Sequence, residues 1–314
     1  LVVVTFKLRR TTVRVGGGGL ALLAGCAVLA GCGGSSARST LRQTVAADRS
    51  IRSGVLTVAV GLRSQPEEAL GGPLRLVVQG PFESKGAGKV PAFAMKVGLA
   101  SGPATIQLGF TSTGSALYLT FGGQPFEVPP SDFAGLEAAY RERSGETPAL
   151  PAGVEPLQWL ENPEKKGTVT VEGEPAEKVR AGINKGRLLA SLAKTGPFSG
   201  ALGELANKLP ALHGLLGALS EPSGRKEVGE AVQQASIELE IGKRDHVLRR
   251  LQLKVVLAPK GATVARLGGL KRGEVTASFG LSQINAPQRI AAPAHPKPLS
   301  ELLREAEGAG LSLG

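Results

Sequence analysis

Apolar residues recur at every second position through segment after segment of this chain. They fall at Leu56, Val58, Val60 and Leu62, at Phe93, Met95, Val97 and Leu99, and at Ile237, Leu239 and Ile241. The pattern continues at Leu251, Leu253, Val255 and Leu257, and at Val275, Ala277, Phe279 and Leu281. A period of two puts such residues on one side of a β-strand. The intervening positions, among them Glu238, Glu240, Gln252 and Lys254, are polar. A chain written this way must build a sheet with one apolar and one solvated face, and must find cover for the apolar one.

Taken in order, the spacing predicts a weakly amphipathic helix over 40–52, then strands over 53–63, 74–82, 92–99, 105–111 and 116–121. Their connections are short and contain Gly and Pro, so neighbouring strands are antiparallel, because parallel pairs need a long crossover. From Pro129 the pattern changes. A helix over 131–143 has an N-cap candidate in Ser131 and a stripe of Phe133, Leu136 and Tyr140. A short helix over 157–163 stops at Pro163, and strands over 167–172 and 176–183 form a hairpin. In the helical block 185–219, Leu202, Leu205, Leu209, Leu212, Leu216 and Leu219 recur at three- and four-residue steps. Pro210 inside that block predicts a kink or two helices. A polar helix over 225–234 precedes strands over 236–241, 247–257 and 273–284, and an extended Pro-rich tail ends in a helix over 299–307. Strands, then helices, then strands, without strict βαβ alternation, define an α+β class. The expected architecture is a single curved antiparallel sheet of about ten strands, a half-barrel wrapped around helices on its concave face.

The first 39 residues are expected to lie outside that fold. Lys7, Arg9, Arg10 and Arg14 precede an apolar run that ends in small residues and a cysteine, the layout of a secretory signal. It resembles the lipobox of bacterial lipoproteins, whose cysteine receives a diacylglycerol and becomes the mature amino terminus. Two frames fit, Leu23-Ala24-Gly25-Cys26 and Leu29-Ala30-Gly31-Cys32. Cys32 is favoured over Cys26, since cleavage there uses the whole apolar run and leaves Gly33, Gly34, Ser35 and Ser36 as a tether. The expected organisation is a signal peptide over 1–31, a lipidated cysteine and tether over 32–39, one α+β domain over 40–290, and a Pro-rich tail with a short helix over 291–314. Membrane attachment would run through the N-terminal lipid, at the outer face of the cytoplasmic membrane.

Both cysteines lie in this leader, so the mature domain has no disulfide and no cysteine-based metal site. Without residues 1–31 the chain keeps 33 basic against 26 acidic residues, an excess of about +7 spread along its length. Export, that even spread and only twelve aromatic residues argue against a nucleic-acid partner. A search for catalysis finds no site. Ser191-Leu-Ala-Lys194 and Lys194-Thr195-Gly196 match two motifs of penicillin-binding proteins, but there the motifs use different lysines and are far apart. His213, His246 and His295 are isolated from one another and from carboxylates at metal spacing. Trp159, the single tryptophan, reads as a core or edge anchor. No metal, cofactor or catalytic residue is assigned, and the sequence names no protein partner.

Four further stretches stand out: Leu117-Tyr-Leu-Thr-Phe121 leading to Phe126-Glu-Val-Pro-Pro130, Val169 to Val179 followed by Leu188 and Leu189, Leu248-Arg-Arg-Leu251, and Ile284-Asn-Ala-Pro287 with Pro293. Together they resemble the LppX and LprA/F/G family of actinobacterial envelope lipoproteins. The resemblance implies a half-barrel sheet enclosing a hydrophobic pocket for acyl chains of envelope lipids or glycolipids, which the anchored protein carries or presents without catalysis. The chain departs from that pattern in its two lipobox frames and its longer Gly- and Leu-rich segment from Thr195 to Leu219.

The expected pocket lining on the sheet is Leu56, Val58, Val60, Phe93, Met95, Val97, Leu251, Leu253, Val275 and Phe279. On the helices it is Leu189, Leu192, Leu205, Leu209 and Leu212. Gly and Ala are plentiful, so small side chains leave room between sheet and helices. Both a lipid cavity and a tight core fit that composition. The tight core belongs to the alternative, a non-catalytic envelope scaffold.

Overall fold

The computed structural model describes residues 36–47, 51–102, 104–143, 159–194 and 210–308. In chain order the strands are β1 (Ser53–Gln65), β2 (Leu74–Glu83), β3 (Ala92–Ser101), β4 (Ala104–Ser112), β5 (Leu117–Phe121) and β6 (Gln124–Glu127). They continue as β7 (Leu160–Val171), β8 (Glu174–Ile183), β9 (Val232–Gly242), β10 (Leu248–Leu257), β11 (Arg272–Ser282) and β12 (Lys297–Pro298). The helices are α1 (Ala37–Ala47), α2 (Pro130–Arg143), α3 (Lys185–Lys194), α4 (Pro210–Ser220), α5 (Pro222–Ala231), α6 (Ala262–Arg266) and α7 (Leu299–Gly308). A 3-10 turn, Glu67–Leu70, follows β1.

All twelve strands form one sheet, ordered β12-β6-β5-β4-β3-β2-β1-β11-β10-β9-β8-β7. Two antiparallel meanders meet where β1 pairs with β11, from Val55 opposite Ser282 to Gln65 opposite Arg272. Only the two-residue strand β12 runs parallel to its neighbour, β6. The sheet is open, with β7 at one edge and β12 at the other. The fold is α+β, as a run of strands, then helices, then strands predicts.

The structure corrects the sequence expectation at several segments, among them the helix expected over 40–52, which runs Ala37–Ala47. The helix expected over 157–163 is, from Leu160 onward, the first part of β7, and residues 157–158 lie outside the described residues. Pro163 is tolerated because β7 is an edge strand and its pairing with β8 is irregular between Glu161 and Glu164, where a missing N–H breaks no ladder bond. The helix expected over 225–234 starts earlier, with Pro222 in its first turn, and gives way at Val232 to β9. The short elements β6, β12 and α6 were not expected. Within the leucine-rich block, α3 and α4 are separate helices, and α4 begins at Pro210 itself, where the absent N–H has no intrahelical partner to lose. Residues 195–209 between them lie outside the described residues.

The helices that pack on the sheet do so on its apolar face. α1 buries Ala37 and Leu41 with Trp159 against Val179 and Ala181 of β8 and Ile237, Leu239 and Ile241 of β9. It is pinned by Thr40, whose Oγ1 donates to Glu177 Oε2 at 2.9 Å, while Lys165 Nζ lies 2.6 Å from the same carboxylate. Leu189 of α3, Ala218 and Leu219 of α4, and Val228 of α5 form a second cluster with Leu257 of β10. Leu70 of the 3-10 turn and Leu267 join them. Glycine makes this packing possible. A Cβ on Gly224 would sit 2.3 Å from the Ala218 carbonyl oxygen, so only glycine allows α5 to approach α4 so closely. α2 seats Phe133 against Val90 and Leu117 at the far end of the sheet, with Tyr140 beside them, and burial pushes the Tyr140 hydroxyl pKa up. Each fully buried side chain of this size is worth about 1.5–3 kcal/mol. No described helix is long and apolar enough to cross a membrane.

Candidate functional site

The three helix-covered clusters leave the middle of the apolar face without full cover. Register aligns its side chains in rows that cross the strands. One row runs Leu251, Phe279, Val58, Val78, Val97, Leu108 and Phe121, each opposite the next, from β10 to β5. A second runs Leu253, Ala277, Val60, Leu76, Leu99 and Ile106. With strands about 4.8 Å apart, the first row spans about 29 Å.

These residues are not packed as a core is. Val58, Val78, Val97, Leu108 and Phe279 are half-buried, as are Val60, Leu76 and Leu99. At the β4–β5 end, Ile106 is 51% and Phe121 47% exposed. By contrast, Val179 and Ile241, on the same face under α1, are 0% exposed. Large apolar side chains left half-covered on one contiguous face are unusual for a closed core and make this face a candidate binding surface. Chemically, such a face can do one thing, which is to take apolar surface out of water. It offers no charge, no nucleophile and no proton donor along either row.

The sequence-selected sheet residues share this face, but not one environment. Leu56, Val58, Val60, Met95, Val97 and Phe279 are half-buried and lie outside the buried clusters. Leu253 and Val275 are half-buried against the α3–α5 cluster, Leu251 against the α1 cluster and Phe93 against the α2 cluster. Leu189 is 7% exposed inside the helical cluster, where it is part of the core. Leu192 lies on α3 and Leu212 on α4, while Leu205, Leu209, Cys26 and Cys32 fall outside the described residues. Sequence reasoning passed over Leu76, Val78 and Leu108, which complete the rows, and the exposed pair Ile106 and Phe121. The alternation of β2, β4 and β5 carried the signal for all of them.

The other residues singled out from sequence do not converge. Trp159 is buried under α1, in the core role expected of it. His213 is exposed on α4, His246 lies in the β9–β10 turn at φ 56°, and His295 lies in the C-terminal tail. Among the described residues no three His, Cys, Asp or Glu side chains group as a metal site. Ser191 and Lys194 are on α3, and Thr195 and Gly196 lie outside the described residues.

No family model matches the sequence, and no curated protein does. Among solved structures, the chain is similar to LprF from Mycobacterium bovis, at 16% identity over 83% of this chain and 100% of that one, with a TM-score of 0.42. It is similar to the lipoprotein LppX from Mycobacterium tuberculosis at 14% identity, 81% and 98% coverage and a TM-score of 0.37. A LolA superfamily protein from Nitrosomonas europaea is similar at 10% identity, 82% and 96% coverage and a TM-score of 0.20.

Proposed function

We propose that this chain is an extracytoplasmic lipoprotein that binds acyl chains of an envelope lipid or glycolipid along the half-buried rows of its sheet and carries or presents them. The observation that supports this reading is the contrast on one face between Val179 at 0% exposure and the half-buried Val58, Val78 and Val97. Binding is by burial: each methylene withdrawn from water contributes about 0.8 kcal/mol, so a long chain is held without polar contacts. Ile106 and Phe121 form the open end through which a chain enters and leaves. Retention at the membrane falls to Cys32, which holds the protein at the outer face of the cytoplasmic membrane. No reaction is part of this role.

Photocrosslinking tests the location. A fatty acid bearing a terminal diazirine is bound to the purified protein, irradiated and mapped by peptide mass spectrometry. Labels are expected on β1, β2, β3 and β4 at Val58, Val78, Met95, Val97 or Leu108. Labels confined to the polar face, or spread evenly over the surface, would contradict the proposal.

A further inference from the structure

The opposite face of the sheet carries a groove of about 680 Å³, bounded by β2, β1, β11, β10, β9 and β8. Its floor is made of small side chains, Ala59 and Gly61 on β1 and Thr276 and Ser278 on β11. The floor is tight, since a Cβ on Gly61 would meet Thr276 Oγ1 at 2.7 Å. Longer side chains make the walls: Arg75 on β2, and Gln252 and Lys254 on β10, three strand spacings away. Arg63 closes one end and opens onto a second groove of about 490 Å³ that also holds Glu67 and Arg272.

The charges in this groove are unequally satisfied. Glu238 accepts from Lys178 at 2.7 Å and has Arg180 at 3.7 Å, and Glu274 lies 3.0 Å from Lys254. The Lys178 hydrogen bond holds the Glu238 carboxyl below its ordinary range. Arg63, Arg75 and Arg272, by contrast, make no ion pair and no side-chain hydrogen bond among the described residues. Glu67, on the far side of Arg63, is the one lining carboxylate with no cation paired to it among the described residues. The recess therefore offers free guanidinium forks, which suit phosphate or carboxylate oxygens, above a floor and wall of hydroxyl and amide groups. Ser236, Thr276, Ser278 and Gln252 supply both donors and acceptors for hydroxyl groups.

We propose that this groove is a second binding site, for a sugar that bears a phosphate or a carboxylate. Its lining also includes Val60, Leu253 and Ala277 of the second apolar row, whose side chains belong by register to the opposite face of the sheet, so the thickness of the sheet separates the two sites. Arg63, Arg75 and Arg272 are exposed along the rim of this recess, whose floor is polar and too narrow for a flat bilayer surface to reach.

Calorimetric titration of the full chain tests the site, with glucose 6-phosphate and trigalacturonate as probes and glucose, inorganic phosphate and phosphatidylglycerol vesicles for comparison. Both charged sugars are expected to bind, with glucose 6-phosphate about tenfold tighter than inorganic phosphate and glucose not measurable. The Arg63→Gln, Arg75→Gln double variant loses about tenfold or more in affinity. Ala59→Leu, which fills the floor without changing charge, does the same, with Ser278→Leu as a second filling variant. Lys96→Gln, on the same face of β3 but outside the groove, leaves affinity within about twofold. The proposal is overturned if charged sugars bind no better than glucose, if the double variant binds as well as the parent, or if the filling variants fold and bind unchanged. Binding to the vesicles alone would make this face a membrane contact and would equally overturn it. Loss of acyl-chain binding at Val58 leaves this result untouched, so the two sites fail separately.

Discussion

An isosteric pair of substitutions separates a lipid-binding face from a core. Val58→Thr and Val97→Thr keep side-chain volume and β-branching and add one hydroxyl each to the first apolar row. Both residues are half-buried and lie outside the buried clusters, so in the lipid-free protein the new hydroxyls can meet water. Stability should fall by less than about 1 kcal/mol for the pair. Against an acyl chain each hydroxyl loses that water, at a cost of about 1–3 kcal/mol, and every 1.4 kcal/mol is about tenfold in affinity. Each substitution should therefore weaken binding of a fluorescent fatty acid about tenfold, measured by titration, with urea unfolding run on the same lipid-free samples. Val179→Thr is the counterpart under α1. At 0% exposure its hydroxyl has no access to water, so it should cost about 1–3 kcal/mol of stability and leave fatty-acid affinity unchanged. If Val58→Thr and Val97→Thr destabilise as Val179→Thr does and fatty-acid affinity does not move, the face is closed core and the reasoning fails.

Further outcomes are expected elsewhere in the molecule. Gly224→Ala drives a Cβ toward the Ala218 carbonyl, 2.3 Å away, and should lower unfolding free energy by about 3 kcal/mol in urea titrations by forcing α4 and α5 apart. Thr40→Val removes the hydroxyl that reaches Glu177 and should cost about 1 kcal/mol, read from the same titrations. Glu238, held below its ordinary pKa mainly by the Lys178 hydrogen bond, contributes stability that is complete above its unfolded value of about 4.3. That contribution is lost as pH falls through the depressed folded value, and for a pair that solvent still reaches it is less than about 1 kcal/mol. Glu238→Gln should accordingly flatten the acid limb of a stability-versus-pH curve by that small amount. Cys32→Ser should abolish incorporation of labelled palmitate and release the protein from membranes, whereas Cys26→Ser should leave both intact.

Much of the sheet was legible because a half-covered antiparallel face writes its period directly into the chain. Val58, Val97, Leu253 and Phe279 could be assigned to one face before their partners were known, since parity alone decides the face. Their partners could not be read. β1 pairs with β11 across more than two hundred residues of sequence, and nothing local to either strand records that choice. Pro163 misled because a proline after Trp159-Leu160 looks like a helix stop, whereas an edge position with irregular pairing accommodates it. The limits of the site were hidden for a similar reason. Val179 and Val97 have the same alternating surroundings in sequence, yet α1 covers one and leaves the other half-open. Leu189 belongs to the expected pocket lining, but it is buried with Ala218 and Leu219 of α4 and Val228 of α5. Helix placement, a tertiary property, divides the closed core from the half-covered face.

The most direct measurement is lipid extraction. The protein is purified without detergent from residue 33 onward, so that no anchor contributes acyl chains, then extracted with organic solvent and examined by mass spectrometry. A lipid carrier yields co-purified envelope lipid, or takes up added fatty acid at about one per chain after stripping. An extract free of lipid from a protein that also takes up none would contradict acyl-chain binding.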